Sequence, residues 1–210
     1  CAQSAGVVPI DVESMCIDVL CFTGHKGLFG IQGTGGIYVA DHVRIRPYMS
    51  GGTGSHSFLL RQPTEMPDCF EAGTVNTHGI AAHGAGHDYV SGIGVGKMQE
   101  IHTELWRYFT TNARKINGIT VYGPEDTGGG MINTGVVSLN VIGHEPGEVS
   151  MLLGKEGICT RAGYHCAPLA HKALRTDALG GTVRFSFSHL NTKEEIDTTL
   201  YTLKKLFALS

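Results

Sequence analysis

The 210-residue sequence has no long apolar run, no excess of one charge, no framework of paired cysteines and no internal repeat. Without an apolar stretch of about 20 residues, no helix is predicted to cross a bilayer. Charged residues make up 17% of the chain and the net charge is −3, which argues against a nucleic-acid or membrane surface. The six cysteines (Cys1, Cys16, Cys21, Cys69, Cys159 and Cys166) show no scaffold spacing, so they read as reduced thiols of a cytoplasmic protein. Cys16 and Cys21 lie in or beside an apolar run and are expected in a core. The hydrophobic share of 41% is that of a globular chain with a real interior.

Glycine, by contrast, is abundant at 30 residues, as in proteins whose backbone turns tightly or approaches a ligand closely. Residues 17–23, IDVLCFT, read as a buried strand ended by Gly24, and GTGGIYVADHV at 33–43 as a second strand. A long Gly/Pro/Ser-rich loop follows over 47–75, a length that usually marks function. Asn76 or Thr77 is placed to cap a helix through residue 93, and a second amphipathic helix is predicted over about 96–116. The remainder alternates in short units. Strands are expected over 118–124, 134–142, 157–163 and 181–190, and helices over 145–156, 167–174 and 192–209, the last capped by Asn191 or Thr192. The expected division is an α/β part over 1–97 and a smaller α+β domain over 98–210. The chain opens on CAQSAGVVPIDV, without Met, and reads as the downstream part of a longer protein.

Several short stretches carry chemistry. In FTGHKG, Lys26 follows His25 at a strand end. A lysine partly withdrawn from water serves as an amine nucleophile, while Thr23, Gly24 and His25 supply donors for a phosphate. AQSAG offers Gln3 on another strand-to-loop edge, and EAGTVNT offers Thr74 with backbone amides before a helix, a natural anion seat. TRAGYHCAP, at 160–168, places Arg161, His165 and Cys166 in one short loop. His83 and His87 share a helix face, but no third ligand accompanies them, and no metal is expected.

AQSAGVVPIDV, CFTGHKGLFGIQGTGGIYV, FEAGTVNTHGIAA, RAGYHCAP and GTVRFSFSHLNTKEEID occur in the order found in class V, fold-type I pyridoxal-phosphate (PLP) enzymes. The resemblance covers the whole chain and is strongest to the cysteine desulfurase and selenocysteine lyase branch of the SufS type. It implies the remainder of a large, mainly parallel α/β domain followed by a small C-terminal α+β domain. It also implies that Lys26 holds PLP as a Schiff base, that Thr23 and His25 contact its phosphate and that Gln3 contacts its phenolic oxygen. Thr74 matches a phosphate contact made by a second subunit, which implies a homodimer with shared active sites. Arg184 matches the arginine that grips the substrate carboxylate, a task suited to a planar guanidinium, with Arg161 in support.

By the same resemblance, Cys166 is the nucleophile that takes sulfur from cysteine or selenium from selenocysteine, leaving alanine. Attack needs the thiolate, which Arg161 and His165 nearby would favour. The aspartate that pairs with the PLP ring nitrogen falls before Cys1, so the chain alone is expected to be incomplete as a catalyst and to need its upstream half. A sulfur-acceptor protein is a further implied partner. Two alternatives stay open: a transaminase or C–S lyase in which Cys166 is a bystander, and an inert half.

Overall fold

The computed structural model describes residues 1–52, 54–125 and 132–209. It falls into two compact units, Cys1–Val95 and Gly96–Ser210. Among the described residues no helix is long and apolar enough to cross a membrane.

The first unit is built around a hairpin. Strands β1 (Val19–Thr23) and β2 (Gly35–Val39) pair antiparallel, with Thr23 opposite Gly35. The connection between them spans residues 24–34, shorter than the dozen or more residues that a parallel crossover needs. The parallel sheet implied by the resemblance is therefore not represented among the described residues of this unit. The expected burial of β1 also fails. Val19 and Ile37 are exposed, as are Cys16 and Cys21, because a two-stranded ribbon has no neighbouring layer to cover both faces.

Helix α1 (Thr77–Ile93) starts where its cap predicts: the Asn76 side chain accepts the Gly79 amide at 3.0 Å. Its buried face is made of Gly79, Gly86 and Val90. A Cβ on Gly86 would lie 2.3 Å from the Leu28 carbonyl oxygen, so this glycine lets the helix press directly on the β1–β2 connection.

The second unit has a four-stranded antiparallel sheet in the order β3-β4-β6-β5, formed by β3 (Ile119–Tyr122), β4 (Val136–Val141), β5 (Arg161–Gly163) and β6 (Thr182–Ser186). Strand alternation divides its residues between two faces. Val137, Leu139 and Val141 of β4 join Val183 and Phe185 of β6 in the core. Helices α2 (Val95–Ala113), α3 (Pro146–Lys155) and α5 (Lys193–Phe207) cover that face, contributing Leu105, Phe109, Val149, Leu153, Ile196 and Leu203. Phe109 is fully buried, its ring 4.9 Å from Phe185 and 5.1 Å from Phe187. A short helix, α4 (Pro168–Ala173), lies between β5 and β6 in the chain. Thr192 and Glu195 close a reciprocal capping box at the start of α5. The opposite face of the sheet carries Ser138, Thr182, Arg184 and Arg161, and the site in this unit grows from it.

Candidate active site

In the first unit, Lys26 stands in the turn that leaves β1. Thr23 Oγ1 and His25 Nδ1 lie 3.2 Å apart, which brings a hydroxyl and an imidazole together one residue before the lysine. Lys26 is exposed in this turn. No carboxylate of the described residues lies within ion-pair range of its amine.

The turn is gripped from two sides. A Cβ on Gly27 would meet the Ala5 carbonyl oxygen at 2.5 Å, and one on Gly6 would meet the Gly27 carbonyl oxygen at 2.2 Å. The AQSAG and GHKG segments thus touch backbone to backbone, a contact possible only where both lack side chains. Gln3 belongs to this first segment, which is a run of tight turns rather than a strand edge: the Ala5 amide bonds back to Cys1 and the Val7 amide to Ser4. On the other side, His83 of α1 stacks on Phe22 at 5.9 Å, and its Nδ1 is buried without a partner. A Cβ on Gly24 would come within 2.6 Å of that nitrogen. His83 is therefore a packed residue that shapes the lysine turn, while His87 points to exposed Asp88 at 3.8 Å. Thr74 is exposed in the bend just before α1.

In the second unit, the register pairs Arg161 directly with Arg184 and Gly163 with Thr182. Like charges opposed across a strand pair repel each other. No carboxylate of the described residues is in ion-pair range of either guanidinium, and Arg184 Nε is buried without a partner. Burial first, then Arg161, hold Arg184 below the ordinary arginine range, while Cys166 acts in the opposite sense. Two arginines converging without an acid form a ready seat for a carboxylate.

Cys166 is exposed on the reversal that follows β5. The neighbouring His165 turns away into the protein, its Nε2 within 3.1 Å of both the carbonyl oxygen and Oγ1 of Thr182. Burial, then the Arg184 guanidinium, hold this imidazole below the ordinary histidine value; His171 and Arg161 add to that, and the Thr182 backbone opposes it. His165 is thus biased toward its neutral form, and Arg184 is the cation that interacts with Cys166. Sequence reasoning passed over Thr182, although the alternation of GTVRFS already put it on the Arg184 face.

These residues fit PLP by their chemistry. An amine, a hydroxyl and an imidazole share one glycine-clamped turn in the first unit.

The aminotransferase class-V family matches residues 1–199. A probable cysteine desulfurase of Methanothermobacter thermautotrophicus is 35% identical over 98% of this chain and 51% of its own length. One from Pyrococcus abyssi is 36% identical over 98% of this chain and 50% of its own length. The solved apo structure of the cysteine desulfurase from Thermococcus onnurineus NA1 superposes with a TM-score of 0.87 at 34% identity, covering 99% of this chain and 51% of that one. The chain spans about half the length of the curated relatives it matches, and its fold is that of fold-type I PLP-dependent transferases. From the matched motifs to the closing helix, it belongs to the aminotransferase class-V family.

Proposed function

We propose that this chain carries the cofactor lysine and the sulfur-accepting cysteine of a PLP-dependent cysteine desulfurase that converts L-cysteine to L-alanine. The observation that carries the reading is the exposed Cys166 beside two opposed, acid-free arginines. The cysteine desulfurase relatives support it, and the RxGxHCA pattern favours the SufS type.

Lys26 would hold PLP, with Thr23 and His25 on its phosphate, Gln3 on its phenolic oxygen and Thr74 reaching the phosphate of a second subunit in a homodimer. When bound, PLP draws electrons from the substrate Cα and so loosens the bond to sulfur. Lys26 moves the Cα proton. Arg184, supported by Arg161, grips the substrate carboxylate and orients the side chain. The Cys166 thiolate attacks the substrate Sγ: an S–S bond forms, the C–S bond breaks, its electron pair stays with carbon, and protonation there yields alanine. Cys166 is left as a persulfide for a sulfur-acceptor protein. The same residues suit selenocysteine. The upstream half of the protein completes the site. Six cysteines without a disulfide fit a reducing, cytoplasmic setting.

The test is Cys166→Ala in the whole protein. Alanine formation from cysteine is expected to vanish while the cofactor absorbance remains, and Lys26→Ala is expected to remove that absorbance. Alanine and sulfide still formed at the normal rate by Cys166→Ala would rule out the persulfide role.

A further inference from the structure

The reversal that carries Cys166 has an unusual backbone. The Ala167 amide donates to the Tyr164 carbonyl at 2.8 Å, closing a four-residue turn. Its two central residues, His165 and Cys166, have φ of 52° and 63°. Both are left-handed, as in the type I′ turn, where glycine, asparagine and aspartate are the usual occupants. A histidine and a cysteine there are strained, and such strain persists only when the surroundings over-determine it.

Cys166 supplies no restraint of its own, since its thiol has no hydrogen bond among the described residues. The backbone of the turn sets the direction of the Cα–Cβ bond that carries its sulfur. The restraint comes from the residues before it. Tyr164 donates its hydroxyl to the Asp177 carbonyl at 3.1 Å and sets its ring against His171 at 5.3 Å. His165 reaches across to fully buried Thr182 on the partner strand. A carbonyl oxygen only accepts, so Nε2 carries the imidazole proton and donates it toward Thr182. Nδ1 is then bare, and it is buried without a partner. A second proton there would have no acceptor and would face Arg184, Arg161 and the His171 ring, whose centroid is 5.6 Å away. The one proton on the ring is thus committed to Thr182. The ring's remaining role is mechanical.

We propose that His165, anchored on Thr182, is a positioning residue that holds the left-handed turn and thereby aims the Cys166 sulfur. The inference rests on the persulfide reading of Cys166.

The experiment uses the whole protein loaded with PLP and compares Thr182→Val with Thr182→Ser. Three quantities are read: hydrogen exchange of the Ala167 amide, the single-turnover rate of persulfide formation on Cys166, and the pH midpoint of Cys166 alkylation by iodoacetamide. Thr182→Val removes the hydroxyl contact and leaves the carbonyl one, so it is expected to speed Ala167 exchange and to slow persulfide formation severalfold, and His165→Ala, which removes both, by about tenfold or more. The KM for cysteine and the alkylation midpoint should be unchanged, and Thr182→Ser, which keeps the hydroxyl, should behave as wild type. Wild-type exchange and rate in both Thr182→Val and His165→Ala, which removes the carbonyl contact as well, or a shifted alkylation midpoint in Thr182→Val, would overturn the proposal. If Thr182→Val does not fold, His165→Asn and His165→Ala decide. Asparagine adopts positive φ readily and should retain more rate than alanine, and equal losses would assign the imidazole a chemical role. If the wild-type protein forms no persulfide at all, the desulfurase reading fails, whereas the Ala167 exchange still judges the turn.

Discussion

Arg161 and Arg184 stand directly opposite each other across the β5–β6 pair, two guanidiniums with no carboxylate of the described residues in ion-pair range. An arrangement that repels itself when empty is relieved when an anion enters. Under the proposed function, replacing Arg184 with Gln is expected to remove a charge-assisted contact of about 1.5–3 kcal/mol, or roughly 10- to 150-fold in kcat/KM for cysteine. Steady-state kinetics on the whole protein checks this. Arg161→Gln should instead raise the thermal midpoint slightly, because it relieves roughly 0.2–1 kcal/mol of cross-strand repulsion.

The contact of Gly6 with Gly27 makes a separate prediction. A methyl on Gly27 would sit 2.5 Å from the Ala5 carbonyl oxygen, which cannot yield without moving the backbone. Gly27→Ala is expected to cost about 1–3 kcal/mol through overpacking. It should also displace the Lys26 turn, so the variant is expected to retain less PLP absorbance after gel filtration than wild type.

Acid should weaken the second unit. Burial first, with His189 adding to it and the Thr134 carbonyl opposing, holds His102 below the ordinary value of 6.5, and His165 lies below that value as well. As pH falls through that value, the unfolded chain takes up protons before the folded one does. The stability from both residues is therefore complete above about pH 6.5 and is lost as pH drops toward the lowered folded values. Denaturant midpoints at about pH 7.5 and about pH 5.5 should differ, and His102→Gln should shrink the difference.

Thr192→Ala removes the side-chain half of the capping box on α5, and the expected loss is about 1 kcal/mol, read as a lower urea midpoint. Phe109→Ala tests the centre of the same core, where the ring is fully buried, and about 3–5 kcal/mol should be lost.

Elements with local signals were legible in the sequence. Asn76 announces α1, the Thr192–Glu195 pair announces α5, and the alternation of TVRFS announces β6. Features that depend on a neighbour were not. The 17–23 run looks buried because it is apolar, yet whether a strand is covered depends on layers the run does not encode. The expected strand over 157–163 shortens to Arg161–Gly163, where β6 offers it a partner. The motifs around Lys26, Arg184 and Cys166 could be read locally, but the pairing of Arg161 with Arg184 is a matter of register. The grip of Thr182 on His165 joins residues 17 positions apart, and no local pattern signals it.

Strand β6 sends Val183 and Phe185 into the core and Thr182 and Arg184 to the opposite face. An alanine scan along it should therefore report on two properties in turn. Melting temperature should fall most at the odd-numbered positions 183 and 185. Turnover should fall most at the even-numbered 182 and 184, so that stability and catalysis trade places with every step along a single five-residue strand.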